Sequence, residues 1–510
     1  MTCQLQYLRH CLRQRIRRTL DELPDTLDET YDRMLEEIGK QNWEYAHRLF
    51  QCVTAASRPL RVHELAEFLA FDFDTDSTPT LREDWREEDP ARAVRSICSS
   101  LLVIVDVDGT LVIQFAHFSV KEYLTSDRLA ESKETISRFH VSMTPAHTVV
   151  AQACLGALLH MDENITKDDL ERFPLATYAA EHWVGHAQFQ DVSPRLQDGM
   201  KRLFDPKNHH LSVWVGIYDP ELGSGDTKPK CPSQARATPL HYAAWCGMHD
   251  VVKFLIVERS QDVNSRGFRG DETPLSVASR RGYGDVARVL LQFGADTEAR
   301  DNQTYSPLVW SSKSRHGELV RVLLEHHADV SSSDKNARLT ALHWASVYGE
   351  AGIARELLAN GADPNAKEMD KRTPLHVAFN DGVARVLLEH GADPNARDSC
   401  KRTPLHFAIQ WESAEAARVL LENGVDANAR DFKKRTPLHV ASQFGSLDGV
   451  RLLLQHGADM NAQDNEGRTP FQVASTSTSA SHQDISQLFL KQGGFRGPQG
   501  GLEERQDCQE

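Results

Sequence analysis

The sequence predicts a mainly α fold: a solenoid of about eight short helical repeats, preceded by a smaller helical domain that carries a β-hairpin. Three observations predict it. The hexapeptide KRTPLH stands at residues 371–376 and 401–406 and again, behind a further lysine, at 434–439. Aligned on its TP pair, the second half of the chain returns at Thr238, Thr273, Ser306, Thr340, Thr373, Thr403, Thr436 and Thr469, with spacings of 35, 33, 34, 33, 30, 33 and 33 residues. The first half lacks this period and shows helical segments followed by two apolar runs on either side of Asp108-Gly109, a strong hairpin signal.

Length and composition fit an ordinary globular protein of two to four domains: 510 residues, 40% hydrophobic and 26% charged. No apolar run reaches the roughly 18 residues of a membrane span, and the first twenty residues lack the apolar core of a secretory signal. They are expected to form an amphipathic helix instead. Nine cysteines, scattered from Cys3 to Cys508, follow neither redox nor zinc-site spacing, which places the chain in a reducing cytoplasmic or nuclear setting. A net charge of −15 argues against nucleic acid or an anionic membrane as the main partner.

In chain order, residues 1–40 form a helical lead, in which LDELPDTLDETYDRMLEEI turns helical after Pro24 with Asp25 or Thr26 as cap. Residues 41–130 carry a helix from Trp43, a break at Pro59, a third helix, an acidic connection at 82–90, and then strand, Asp108-Gly109 turn, strand and helix. Helices followed by a hairpin make a winged-helix domain. Residues 131–210 stay helical, with two apolar segments, PAHTVVAQACLGALLHM and FPLATYAAEHWVGHAQF. The Gly-, Pro- and Ser-rich stretch at 211–232 reads as a linker, 233–494 as the repeats, and 495–510 as a disordered tail.

Within one repeat, Thr436 caps a helix, Pro437 fills its first position, Gly445 ends it, and Val450, Leu453 and Leu454 mark the apolar face of a second helix closed by Gly457. One such unit cannot bury its faces alone, so neighbours stack. The period and the repeated TPLH element resemble the ankyrin family over about half the chain. Three units depart from the pattern. The third has Ser306 and Val309 for the usual Thr and His and is expected to be loosely packed or a hinge. The fifth has lost three residues between Ala378 and Leu387. The eighth has the polar exterior of a terminal cap.

The segments LPDTLDETYDRML, RPLRVHELAEFLA and FAHFSVKEYL resemble the region that follows the ATPase domain in fungal NACHT-type signalling proteins ending in ankyrin repeats. No GxxxxGK[ST] motif is present, so nucleotide hydrolysis is not carried over. The chain is expected to be either a fragment of such an ATPase or a stand-alone descendant.

One string points to an enzyme. LLVIVDVDGTLV resembles the first motif of haloacid-dehalogenase-like phosphatases, whose nucleophile and acid-base roles would fall on Asp106 and Asp108, with Lys167 and Asp169 imitating a later motif. That family needs alternating strands and helices after the motif, whereas helices alone follow Phe115, and Asp-Gly is what a two-residue hairpin turn demands. The sequence thus gives no catalytic, cofactor or metal site. His241, His343, His376, His406 and His439 take the structural hydrogen-bonding role that the ankyrin resemblance implies. His182 and His186 read as a helix surface rather than an HExxH metal pair.

The binding residues follow from the repeats. Where the ankyrin consensus carries a tip glycine, repeats five to seven carry Lys371, Lys401 and Lys434, followed by Arg372, Arg402 and Arg435. They form either a solvated edge or a basic strip suited to an acidic protein partner. At the thirteenth and fourteenth positions, which face the groove in this family, stand Trp245, Tyr348, Trp411 and Phe444, the residue types of interface hot spots. The expected function is a non-catalytic scaffold or regulator that binds a protein without a cofactor.

Overall fold

The structure, a computed structural model, describes residues 26–74, 78–98, 100–163, 167–220, 237–268, 270–477 and 479–492. The sequence readings for 1–25, 221–236 and 493–510 lie outside these residues. The chain divides into two compact units, Met1–Gln261 and Asp262–Glu510.

In the first unit, α1 (Leu27–Glu36) starts at Thr26, whose hydroxyl accepts the Glu29 N–H at 3.2 Å. It is not a separate lead. Tyr31, Met34 and Leu35 are buried, and Tyr31 packs 5.2 Å from Tyr123, so the helix belongs to the core of the domain that follows. Next come α2 (Trp43–Ala55), β1 (Leu60–Arg61), α3 (Val62–Glu67), β2 (Phe71–Asp72), β3 (Thr80–Leu81) and α4 (Pro90–Cys98). The hairpin is β4 (Leu102–Val107) and β5 (Thr110–Phe115), antiparallel with Val107 opposite Thr110 in a sheet ordered β1-β5-β4. The two residues left over, Asp108 and Gly109, have φ of 51° and 80°, the pair of positive values a type I′ turn requires. Asp106 accepts the Gly109 N–H at 2.8 Å. Asp106, at the end of β4, and Asp108, in the turn, are both exposed, and α5 (Phe118–Leu124) completes the winged helix.

A helical layer follows: α6 (Met143–His160), α7 (Leu175–Ala187), α8 (Gln197–Phe204) and α9 (His210–Ile217). The last of these corrects the linker boundary at 211. Trp214 is 1% exposed, lies edge-on to Trp183 at 5.4 Å and donates its indole N–H to the Ala180 carbonyl at 2.9 Å. A buried indole tied into a neighbouring helix makes α9 part of the core. His186 is likewise no surface residue. It is buried between the Tyr178 hydroxyl (2.9 Å) and His147 (2.8 Å), and burial pushes its pKa down to about 3. The first repeat, Pro239–Trp245 and His249–Val257, packs in this same unit, where Arg259 pairs bidentately with Asp205 at 2.9 and 2.6 Å.

The second unit stacks repeats two to eight. Their first helices are Pro274–Arg281, Pro307–Lys313, Ala341–Val347, a single 3₁₀ turn Pro374–Val377, Pro404–Gln410, Pro437–Phe444 and Pro470–Ala474. The fifth repeat pays for its deletion by losing a helix, and Asn380 caps the helix Asp381–Glu389 directly by accepting the Val383 N–H at 3.3 Å. The third repeat is not loose. Ser306 accepts the Val309 N–H at 3.4 Å, Leu308 and Val309 are fully buried, and Arg300 ties the repeat to the fourth by donating to the Ser333 carbonyl, as Arg397 does to the Arg430 carbonyl in the sixth.

The histidines join successive repeats. In repeats four to seven the imidazole Nδ1 accepts the N–H of its own capping threonine, as at Thr373 and His376 (3.1 Å), so the proton sits on Nε2. Nε2 then donates to a carbonyl in the next repeat: His343 to Arg372 (3.2 Å), His376 to Arg402 (3.1 Å), His406 to Arg435 (3.2 Å) and His439 to Arg468 (3.0 Å). In the eighth repeat the same place holds Gln472, which accepts the Thr469 N–H at 2.9 Å. At the other end of the units an asparagine does similar work. Asn365 and Asn428 donate to the Gly391 and Gly457 carbonyls and accept the Asp393 and Asp459 N–H groups.

Burial holds the pKa of His376 and of His406 at about 4, below the unfolded value of about 6.5. A depressed histidine pKa stabilises the fold above the unfolded value, and that contribution is lost as pH falls toward the folded one. The urea midpoint of the full chain is therefore expected to fall between pH 6.5 and 4, by the equivalent of at most about 3 kcal/mol per histidine. A flat midpoint across that window would contradict the neutral bridges. Amide hydrogen exchange is expected to show the fifth repeat opening before the fourth and sixth, because its first helix is a single turn.

Candidate protein-binding surface

The turns that precede each TP pair form a row. The residue two places before the threonine has positive φ throughout: Asp271 (53°), Thr304 (65°), Arg338 (59°), Lys371 (60°), Lys401 (60°), Lys434 (58°) and Gly467 (73°). Only glycine takes this conformation freely, and an L side chain there costs about 1 kcal/mol. Three exposed lysines are held at such sites. Successive turns are hydrogen-bonded, with Ser399 N–H to the Asp370 carbonyl (2.8 Å), Phe432 to Cys400 (2.8 Å) and Asn465 to Lys433 (2.9 Å), so the lysines are set one turn apart.

The arginines beside them do a different job from the one the basic strip assigns. Arg402 pairs with Asp398 at 2.9 Å and Arg435 with Asp431 at 2.8 Å, and both carboxylates are buried. The other oxygen of each aspartate accepts the backbone N–H of the same arginine, at 2.7 and 2.8 Å. Arg372 pairs with Asp370 at 2.8 Å, and its N–H goes to Glu368. These arginines brace the turns from within. The charge presented outward is that of Lys371, Lys401 and Lys434, joined by the exposed Lys433.

The aromatic stripe is present in the second unit. Trp411 is 62% exposed, Phe444 47% and Tyr348 43%. Trp411 leans on Phe379 with ring centres 5.8 Å apart, and Tyr348 stacks on Trp344 at 6.0 Å. Trp245 is half-buried and belongs to the first unit. Sequence reasoning missed Tyr305, Trp310, Lys313 and Trp344, which converge in the third and fourth repeats. The signal was the aromatic at the tenth position of both repeats, Trp310 and Trp344.

Among the described residues, no helix is long and apolar enough to cross a membrane, and no cluster of three or more His, Cys, Asp or Glu side chains is arranged to hold a metal ion. Ankyrin repeats indicate protein–protein interaction in general, and the exposed aromatics and lysines lie on such repeats.

Comparison with known families bears out the architecture. The family described as ankyrin repeats (3 copies) matches residues 240–334, 275–368, 316–398, 342–431 and 426–496, and the winged helix domain of GPI inositol-deacylase matches 31–137. Azaphilone pigments biosynthesis cluster protein L of Monascus ruber is 30% identical over 296 residues, covering 54% of this chain and 61% of that protein. Vegetative incompatibility protein HET-E-1 of Podospora anserina is 23% identical over 188 residues, 33% of this chain and 13% of its own length. Ankyrin repeat and SOCS box protein 3 of Bos taurus is 39% identical over 142 residues, 28% of this chain and 27% of that one. The chain covers less than two thirds of each of these relatives. With its repeats matched from 240 to 496 and a winged helix before them, as in the C-terminal part of fungal NACHT-type proteins, the chain belongs to the ankyrin-repeat proteins.

Proposed function

We propose that this chain is a non-catalytic cytoplasmic or nuclear scaffold or regulator whose repeats bind an acidic, partly apolar segment of another protein, without a cofactor and with neither nucleic acid nor membrane as its main partner. One observation carries the reading. Trp411 is 62% exposed in the sixth repeat, whose turn presents Lys401 and whose neighbour presents Lys434. A large ring left in solvent on a repeat that also displays a lysine from a strained turn combines an apolar anchor with a charged rim. The winged helix and the likeness to the vegetative incompatibility protein support descent from a NACHT-type regulator, in which such repeats would sense a partner.

A partner isolated on the full chain, then studied by surface plasmon resonance, tests this. Trp411→Ala is expected to weaken binding by about 2 kcal/mol, chiefly through faster dissociation. Lys401→Glu combined with Lys434→Glu is expected to slow association and remove its dependence on salt, because rim charges steer encounter more than they hold the complex. Both variants are expected to stay folded, since these side chains point away from the stacked faces. Unchanged rates in both would overturn the assignment of the surface.

A further inference from the structure

In the third and fourth repeats a lysine is enclosed by aromatic rings and given no counter-ion. Lys313, the thirteenth residue of its unit, holds its ammonium 4.3 Å from the ring centre of Tyr305, 4.7 Å from Trp344 and 5.1 Å from Trp310. It also donates to the Tyr305 hydroxyl at 3.2 Å. Tyr305 stands nearly perpendicular to both indoles, at 77° to Trp310 and 87° to Trp344, so the rings form the walls of a cup. Nearby carboxylates are committed elsewhere: Glu272 to Arg280 (2.8 Å), Glu350 to Arg315 (2.5 Å) and Asp301 to the Trp310 indole N–H (2.9 Å). Among the described residues none pairs with Lys313. The indole N–H of Trp344, closed off from solvent, also lacks an acceptor among these residues.

A lysine in water samples many rotamers, and a partner that pairs with it must immobilise the chain. Here the rings have already fixed it by cation–π attraction and have stripped part of its water, which strengthens its pull on any anion that reaches it. Of the three donors on the ammonium Tyr305 takes one, which leaves two for an anion. We infer that Lys313, seated in the cup of Tyr305, Trp310 and Trp344, is a preset anchor for a carboxylate side chain of the bound protein segment. The inference rests on the binding surface proposed above and extends it from the sixth and seventh repeats to the third and fourth. Its chemistry differs from that of the turns: a fixed, partly desolvated charge sets which residue of the segment is acidic, whereas mobile lysines respond only to overall charge.

The test uses the full chain and two labelled peptides of equal length, one alternating Glu and Leu, the other Gln and Leu, titrated by fluorescence anisotropy. The native chain is expected to bind the Glu peptide at least about tenfold more tightly. Lys313→Met, which refills the cup with a neutral chain, is expected to remove most of that preference while leaving the Gln peptide unaffected, and Lys313→Arg to keep it. If the Met variant melts without cooperativity, Lys313→Gln is read by the same criteria. A Glu preference that survives Lys313→Met belongs to the turn lysines and overturns the anchor, as does the absence of any preference in the native chain. Displacement of the Glu peptide by choline would show the cup accepting a foreign cation in place of Lys313, and would also overturn it. Trp411→Ala separates the two levels: if it weakens both peptides while Lys313→Met changes nothing, the surface stands and the anchor falls. Failure of either peptide to bind counts against both.

Discussion

The second unit depends on a neutral histidine that belongs to one repeat and is completed by the next. Its Nδ1 is occupied by the threonine that starts its own helix, which forces the proton onto Nε2 and aims it at a carbonyl about thirty residues further on. That carbonyl lies at the base of the following turn. The bond therefore fixes helix start, turn and stacking distance together, and burial keeps the imidazole uncharged. Cap, tautomer and inter-repeat contact are three aspects of one arrangement.

This accounts for the constancy of KRTPLH residue by residue. Lysine occupies the strained corner, and arginine lends its carbonyl to the preceding histidine while clamping, in the second and third copies, the buried aspartate four places earlier. Threonine caps, proline fits the first helical position, leucine is fully buried in the sixth and seventh repeats, and histidine reaches forward. Of the six only lysine faces outward without a structural bond on the far side of its stem. The basic run that looks uniform in the sequence divides into a brace and a displayed charge.

Much of the fold was legible because it rests on local chemistry. The period, the Thr-Pro starts and the Asp-Gly turn each follow from a few adjacent residues. What escaped depended on distant partners. Helix His210–Ile217 precedes a Gly- and Pro-rich stretch and was assigned to it, since nothing near Trp214 in the sequence announces Trp183 and Ala180. The third repeat looked degenerate because its capping serine and its tie from Arg300 to the Ser333 carbonyl of the next repeat do not resemble the TPLH element. The role of Arg402 could have been read from Asp398 four residues earlier, a spacing repeated at Asp431 and Asp464. The ring cup around Lys313 draws on two repeats, and its one sequence signal, an aromatic at the tenth position of each, does not say that the rings meet.

Each histidine bridge has a direction, from donor in one unit to acceptor in the one after it. A unit copied from among repeats four to seven arrives with both halves, a histidine for its successor and a turn carbonyl for its predecessor. A copy of the eighth unit would not, because Gln472 holds its own cap and offers no imidazole onward. The array is thus a train of couplings that can be lengthened or shortened among these repeats without a new kind of joint, and three neighbouring repeats share the hexapeptide that makes it.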